Sequence, residues 1–162
     1  MASDTDTAYK TLVLPILENC SAVWDPHVQT LNDQIERIQN RAARFVTGDY
    51  SRFSSVTAMK KKLKWNDLET RRKVARLIIF HQALQGHLAI PVRQFLQPVQ
   101  RETRSSKIGS NFIQLSASKN CYQDSFVPQT LKDWNSLPHK VITIQEKEKF
   151  IAAIHKELKI FN

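Results

Sequence analysis

The sequence predicts a mainly α fold: a helical bundle with a short loop or β-hairpin near residues 101–118 and a helix at the C-terminal end. The 162 residues include only three glycines, Gly48, Gly86 and Gly109, against an average usage of about 7%. Long stretches place apolar residues three and four positions apart, which is typical of amphipathic helices. Since 41% of the residues are apolar, the chain can bury a sizeable core.

The first helix is predicted over Thr7–Val23. Pro15 lies inside this stretch, where it has no amide proton to donate and its ring crowds the preceding turn. We therefore expect the helix to bend or split near Thr11–Leu14.

The second helix is predicted over Pro26–Thr47. Asp25 is suited to cap it, Pro26 to its first position, and Gly48 to a left-handed stop. Its inward face is expected to carry the apolar residues at helical spacing, namely Val28, Leu31, Ile35, Ile38, Ala42, Phe45 and Val46. Its other face carries three arginines at helical spacing, Arg37, Arg41 and Arg44.

A brief helix opened by Ser54 or Ser55 is predicted to lead into a long helix over Asn66–Gly86. Asn66 and Glu69 have the spacing of a capping box, and Gly86 supplies the stop. The first half of this helix is crowded with cations. Glu69 can pair with Arg72 and Lys73, but neither Arg71 nor Arg76 has an acid three or four residues before it that is as well placed as Glu69. This suggests an anion outside the chain, although a solvated charged face explains most charge runs.

The C-terminal half is predicted to be less regular. A short helix should begin at Pro91, and a polar stretch over Arg101–Ser118 reads as a surface loop or weak hairpin. One or two helical turns follow Phe126. Thr143 and Glu146 form a second capping-box pattern before a final helix that turns Phe150, Ile151, Ile154 and Leu158 inward.

The positive charge is concentrated in one third of the chain. The formal net charge is +9 and the isoelectric point is near 9.8. Arg41–Arg76 contains eleven bases and three acids, which is +8 of this total. A polyanionic partner is therefore expected, nucleic acid first and an anionic membrane second. The bases do not lie along a helix with a free apolar face, which argues against a membrane role.

Signatures of catalysis are sparse. The sequence has no glycine-rich phosphate loop, GxSxG, CxxC or HExxH motif. His81, on an apolar helix face, is interpreted as a hydrogen-bonded core residue, and Trp24 and Trp65 as core anchors at helix junctions. Cys20 and Cys121 are expected to be reduced in an intracellular protein. We expect a binding module with no cofactor, no metal and no small-molecule substrate.

Five segments follow one another in a distinctive order: YKTLVLPILENCSAVWDPH (Tyr9–His27), QIERIQNRAARFVTGDY (Gln34–Tyr50), SSVTAMKKKLKWNDLETRRKVARL (Ser54–Leu77), TRSS (Thr103–Ser106) and DWNSLP (Asp133–Pro138). Together they resemble the C-terminal end of LINE-type, non-LTR retrotransposon reverse transcriptases of the jockey-like group. The chain departs from that family at Leu14, where arginine is usual, and at Lys60, where leucine or glutamine is usual.

The resemblance implies a thumb-like basic helical bundle over residues 1–86 and a C-terminal helical region over residues 87–162, or one compact domain. In that family this segment follows the polymerase palm and grips a template–primer duplex. The catalytic aspartates and the endonuclease of the family lie upstream of this segment, so the chain itself is expected to be non-catalytic. The cations expected to contact phosphates are Arg37, Arg41, Arg44, Lys60, Lys61, Lys62, Lys64, Arg71, Arg72 and Arg76.

Three hypotheses follow from the sequence. The first is an inactive fragment of an RNA-directed DNA polymerase that binds an RNA/DNA duplex or RNA. The second is a structural lobe that docks on a missing palm domain and binds no nucleic acid itself. The third, an independent hydrolase or metal enzyme, has the least support.

Overall fold

The computed structural model describes residues 2–100, 111–115 and 120–161. The protein is mainly helical, which confirms the predicted fold class. The chain divides into two compact units, one formed by Met1–Arg72 with Ile160–Asn162 and the other by Lys73–Lys159. The division between the two units lies between Arg72 and Lys73, inside a helix.

The first unit begins with a broken helix. Its parts are α1 (Ala2–Ala8), a π-helical stretch (Tyr9–Val13), α2 (Leu14–Glu18) and α3 (Ser21–Trp24). The amide of Leu14 bonds to the carbonyl of Tyr9, five residues back, directly before Pro15. The break predicted near Thr11–Leu14 is confirmed, because the chain widens into a π turn where proline interrupts the regular helix.

The long helix α4 (Gln29–Thr47) ends at Gly48 as predicted, with φ of +67°. Its start differs from the prediction, because Asp25 and Pro26 precede the helix and Val28 is its N-cap. Its inward face is also rotated from the one predicted. The buried residues are Asn32, Gln39, Ala43 and Val46, whereas Val28, Leu31, Ile38 and Phe45 are exposed.

Two polar side chains explain the rotation of α4. The Nδ2 atom of Asn32 donates to the carbonyl of Pro26 at 3.0 Å, and Nε2 of Gln39 donates to the carbonyl of Asn66 at 3.2 Å. Burial of a polar group is tolerated when it is hydrogen-bonded. Asn32 and Gln39 therefore face the core, and the neighbouring residues Leu31 and Ile38, which the apolar pattern placed there, are exposed.

The core of the first unit is built around an aromatic pair. Tyr9 and Trp65 stack with centroids 4.2 Å apart, and the indole Nε1 donates to Asp6 at 2.8 Å. The other buried members of this cluster are Ala43, Val46 and Met59. Trp65 is the core anchor that the sequence predicted. Trp24 is not, since 40% of it is exposed.

Two further helices follow in this unit. The N-cap Ser55 accepts a hydrogen bond from the amide of Ala58 at the start of α5 (Val56–Leu63), as predicted. The long helix α6 (Leu68–Leu84) begins two residues later than expected. Its first amide, that of Leu68, donates to Glu36 Oε2 on α4 at 3.1 Å.

The predicted capping role of Asn66 is therefore wrong. Its side chain instead exchanges two hydrogen bonds of 2.9 Å with the backbone of Phe161, donating to the carbonyl and accepting from the amide. The side chain of Asn66 thus bonds to a residue 95 positions away in the sequence and not to the first turn of α6.

The second unit contains the rest of α6 and several shorter elements. These are a 3₁₀ turn (Val92–Phe95), α7 (Asn120–Gln123), α8 (Phe126–Asn135), α9 (His139–Ile142) and α10 (Lys147–Glu157). The predicted stop at Gly86 is confirmed by its φ of +77°. The predicted hairpin is represented by one antiparallel bridge between Pro98 and Phe112, and residues 101–110 and 116–119 of that prediction lie outside the described residues.

The second capping-box prediction is not confirmed. Helix α10 has Glu146 as its N-cap without a side-chain capping bond, and the hydroxyl of Thr143 donates to the carbonyl of His139. Phe150 and Ile154 are fully buried, as the amphipathic pattern of the final helix predicted.

The core of the second unit is aromatic. His81 stacks on Phe150 with centroids 3.9 Å apart, and Phe80 meets Trp134 edge to face at 5.1 Å. The Nε2 atom of His81 lies 2.7 Å from the carbonyl oxygen of Ile144. Since a carbonyl only accepts, Nε2 carries the proton. His81 is the hydrogen-bonded core histidine that the sequence predicted.

Candidate nucleic-acid interface

The structure separates the ten cations predicted to contact phosphates into three groups. Five are exposed: Arg37, Arg41, Lys61, Lys62 and Lys64. Arg44 and Arg71 are half-buried, and Lys60, Arg72 and Arg76 are buried. The exposed cations are the ones that an anion outside the chain can reach most easily.

Lys60 is held between two carboxylates. Its Nζ lies 2.7 Å from Glu36 Oε1 and 2.5 Å from Asp67 Oδ1. Burial opposes the charge, but the hydrogen bonds to Asp67 and Glu36 outweigh it and raise the pKa of Lys60 above its ordinary value. Lys60 thus joins α4 to the residue before α6 through two carboxylates, and its contact with a phosphate stays a prediction.

Arg71 and Arg72 each have an acid from the N-terminal segment of the same unit. Arg71 forms a bidentate pair with Glu18, which raises the pKa of this guanidinium. Arg72 pairs with Asp25 through Nε at 2.6 Å and donates through Nη2 to Asn32. Both guanidinium groups are paired with acids inside the first unit, and their contact with phosphates stays a prediction.

Arg76 belongs to the second unit and shares an acid with its neighbour on α6. Asp133 accepts from Arg76 Nη2 at 2.8 Å and from Lys73 Nζ at 2.7 Å. The side chain of Arg76 is 4% exposed, and its contact with a phosphate stays a prediction.

These pairs overturn the expectation that an outside anion neutralises the start of α6. Glu18 is 53 residues from Arg71, and Asp133 is 57 residues from Arg76. Neither acid is visible in a search at i+3 and i+4, because tertiary packing rather than helical spacing brings it close.

Arg44 has a different role. Its Nη1 donates to the carbonyl oxygens of Ser51 at 2.9 Å and Asp49 at 3.4 Å, and its Nη2 donates to that of Ser54 at 3.5 Å. The hydroxyl of Ser54 and the amide of Ser51 also hold the pKa of Asp49 below its usual range. Arg44 therefore braces the α4–α5 loop, residues 48–55, and its contact with a phosphate stays a prediction.

The remaining cations occupy two places in the first unit. Arg37 and Arg41 lie one turn apart on the exposed side of α4, since residues four apart are neighbours on a helix surface. Lys61, Lys62 and Lys64 surround the C-terminal end of α5, where Lys64 is the left-handed cap. The helix dipole favours cations at this end, so part of the lysine cluster has a structural origin.

Three exposed aromatic residues follow Arg41 closely in the sequence, and the sequence analysis did not assign them to the interface. Phe45 ends the exposed side of α4, and Tyr50 and Phe53 project from the α4–α5 loop. Phe45 was assigned to the core. The available signal was the alternation of aromatic and basic residues from Arg41 to Phe53.

The arrangement offers positive charge and aromatic surface. In the described part of the chain, no group of three or more histidine, cysteine, aspartate or glutamate residues could hold a metal ion. Among the same residues, no helix is both long and apolar enough to cross a bilayer. No family model, curated protein or solved structure matches the chain.

Proposed function

We propose that this chain is a non-catalytic nucleic-acid-binding module, the C-terminal piece of a retroelement RNA-directed DNA polymerase, that grips an RNA/DNA duplex or RNA through its phosphates. The observation that carries the proposal is the set of five exposed cations in the first unit, Arg37, Arg41, Lys61, Lys62 and Lys64. None of these five side chains is in a salt bridge of the kind that occupies Lys60, Arg71 and Arg72.

The chemistry of the five side chains suits phosphate binding. Arginine presents a planar set of donors to a phosphate, and lysine a mobile point charge. Contacts of this kind fix the position of a nucleic acid without reading its sequence. They are also strongly salt-dependent, because every neutralised phosphate releases counterions.

The test is a fluorescence-anisotropy titration of an RNA/DNA hybrid by the full chain over a series of salt concentrations. If about five phosphates are neutralised, the slope of log affinity against log salt should be about −4 to −5. Arg41→Ala should reduce the steepness of that slope by about one. Lys156→Ala, which removes an exposed cation from the second unit, is the matched control and should leave the slope unchanged. Absent binding at low salt, or binding that salt does not weaken, would reject the proposal.

A second candidate function has its own support. The first unit exposes aliphatic side chains along its N-terminal helices, among them Leu12 in the π-helical stretch at 67%, Ile16 on α2 at 76% and Val23 on α3 at 82%. Contiguous exposed apolar residues mark protein interfaces in many soluble proteins. Such a surface fits a structural lobe that docks on a palm domain.

Sedimentation velocity of the full chain separates the two candidates. A docking lobe with no partner present should self-associate, and Leu12→Asp with Ile16→Asp should restore the monomer without changing the affinity for the hybrid. A wild-type chain that is monomeric and binds the hybrid would reject the docking lobe and support the nucleic-acid function.

A further inference from the structure

The α4–α5 loop holds its backbone in one conformation. Besides the bonds from Arg44, the amide of Ser51 donates to Asp49 Oδ1 at 2.9 Å, and the amide of Phe53 donates to Ser51 Oγ at 3.3 Å. The amide of Ser54 donates to the carbonyl of Ser51 at 3.3 Å. The loop is therefore a fixed support for the side chains that it carries.

Two of those side chains, Tyr50 and Phe53, are aromatic rings in contact with solvent, and a third exposed ring, Phe45, lies near the end of α4. The exposed fractions are 97% for Phe53, 67% for Tyr50 and 64% for Phe45. A single exposed apolar residue is normal on a protein surface. Here, however, three exposed rings lie within nine residues of the chain. Arg44, next to Phe45 on α4, donates hydrogen bonds to the loop that carries Tyr50 and Phe53.

Cations border the rings. Arg41 lies one turn before Phe45 on the exposed side of α4, about 6 Å along the helix axis. Arg52 is exposed between Tyr50 and Phe53. Lys62 on α5 lines a cavity of about 390 Å³ together with loop residues, so a third positive side chain reaches this end of α4.

We propose that Phe45, Tyr50 and Phe53 form a stacking surface for the unpaired bases of a single-stranded nucleic acid, whose phosphates Arg41 and Arg52 neutralise. The inference rests on the proposed function and deepens it, because it names an unpaired segment as part of the ligand. Every base has a π-face that stacks on an aromatic ring, and a cationic border tracks the backbone. Positive charge around the rings favours this ligand over an apolar protein surface, which would leave Arg41 and Arg52 without a partner from the docked molecule.

Four probes test the inference with the full chain. They are a fluorescein-labelled 15-nucleotide oligo(dT), an abasic oligonucleotide of equal length, an oligo(rU), and an RNA/DNA hybrid duplex. Phe53→Ala should weaken oligo(dT) and oligo(rU) binding about 5- to 150-fold, the range measured for loss of one stacking contact. It should leave the affinity for the hybrid and for the abasic strand within twofold, because those probes offer no free bases to the ring.

Three further variants control for other causes. Phe53→Leu keeps an apolar side chain but removes the π-face, and it should behave as Phe53→Ala does. Phe53→Trp should retain affinity, and its exposed indole should be quenched by oligo(dT) but not by the abasic strand. Phe161→Ala removes a partly exposed aromatic side chain from elsewhere in the chain and should not alter the preference for strands with bases.

The outcomes separate the inference from the proposed function. If Phe53→Ala, Tyr50→Ala and Phe45→Ala leave oligo(dT) affinity unchanged while Arg41→Ala lowers affinity for the hybrid, the inference fails and the function stands. If no probe binds at low salt, both fail. If the aromatic variants abolish self-association in sedimentation velocity and leave oligo(dT) affinity unchanged, the surface docks protein, and the inference is overturned.

Discussion

Arg72 and Asp25 form an ion pair enclosed within the first unit. Nε of the guanidinium lies 2.6 Å from Oδ1 of the carboxylate, and the two side chains are 2% and 7% exposed. The ring of Trp24 lies 5.7 Å from the guanidinium carbon. A cation enclosed in this way serves the fold of the unit, although its place in a basic run resembles that of a ligand-binding residue.

Replacing Arg72 should therefore damage stability. Arg72→Ala removes the buried guanidinium that pairs with the Asp25 carboxylate, and we expect the free energy of unfolding to fall by about 3–5 kcal/mol. Urea denaturation followed by circular dichroism measures the change. Arg41→Ala, on the exposed side of α4, should stay within about 0.5 kcal/mol of the wild type. Equal effects of the two substitutions would contradict the division into structural and surface cations.

Arg44 should control the order of the α4–α5 loop. Arg44→Ala removes the donors to the carbonyl groups of Asp49, Ser51 and Ser54. We expect faster hydrogen exchange of the Ser54 amide, which lies inside the braced turn, while amides in the middle of α4 keep their protection. Unchanged exchange at Ser54 would mean that the loop holds its conformation without Arg44.

Asn66 should contribute to stability through the C-terminal segment. Asn66→Ala removes both hydrogen bonds to the backbone of Phe161, each of which contributes about 0.5–1.5 kcal/mol. The expected loss is about 1–3 kcal/mol in urea denaturation. Ser136→Ala on the second unit, whose exposed hydroxyl bonds only within its own turn, is the control and should cost less. An Asn66→Ala protein as stable as the wild type would show that the pairing contributes nothing.

His81 should make the second unit sensitive to acid. Burial lowers the pKa of His81, against a smaller raising effect of its bond to Ile144. Its Nδ1 is buried without a partner, so a second proton there is disfavoured. The unfolded chain takes up this proton near pH 6.5, before the folded chain does. The contribution to stability is therefore complete above that pH and is lost as the pH falls towards the lower folded pKa.

Urea denaturation at a series of pH values tests this dependence. His81→Gln keeps an amide donor for the carbonyl of Ile144 but cannot titrate, so its stability should vary less with pH below 6.5. His27→Gln, an exposed position in the first unit, should retain the wild-type dependence. A wild-type and a His81→Gln protein with parallel pH profiles would refute the assignment.

Tyr9 should ionise late in alkaline titration. Burial raises the pKa of Tyr9 from 10.0 to about 12. The folded chain holds this proton more tightly than the unfolded chain, so the contribution to stability is complete below pH 10 and falls as the pH rises towards 12. Absorbance at 295 nm should show one phenol titrating late, and Tyr9→Phe should remove that step. Loss of an early step instead would contradict the burial of the phenol.

Local signals in the sequence predicted a large part of the fold. The stops at Gly48 and Gly86 were predictable because only glycine adopts a positive φ without cost. The N-cap at Ser55 and the break before Pro15 also depend on residues close in sequence. Core positions of the final helix, such as Ile154, followed from helical spacing.

The predictions that failed depended on distant residues. The capping box at Asn66 was rejected because Glu36 and Phe161, from other parts of the chain, provide better-placed partners. The apolar pattern of α4 gave the wrong face because Asn32 and Gln39 are buried through hydrogen bonds to other segments. Distant residues also surround the predicted cations, since Arg71, Arg72 and Arg76 are paired with acids that no local window contains.

The pairing of Asn66 with Phe161 has a practical consequence for anyone who would dissect this molecule into halves. A single cut after Arg72 separates Ile160–Asn162 from the rest of the first unit, so a recombinant N-terminal half would lack the residues that cover Asn66. A peptide of the last residues, supplied in trans or joined by a linker after Arg72, should restore that half where simple truncation fails.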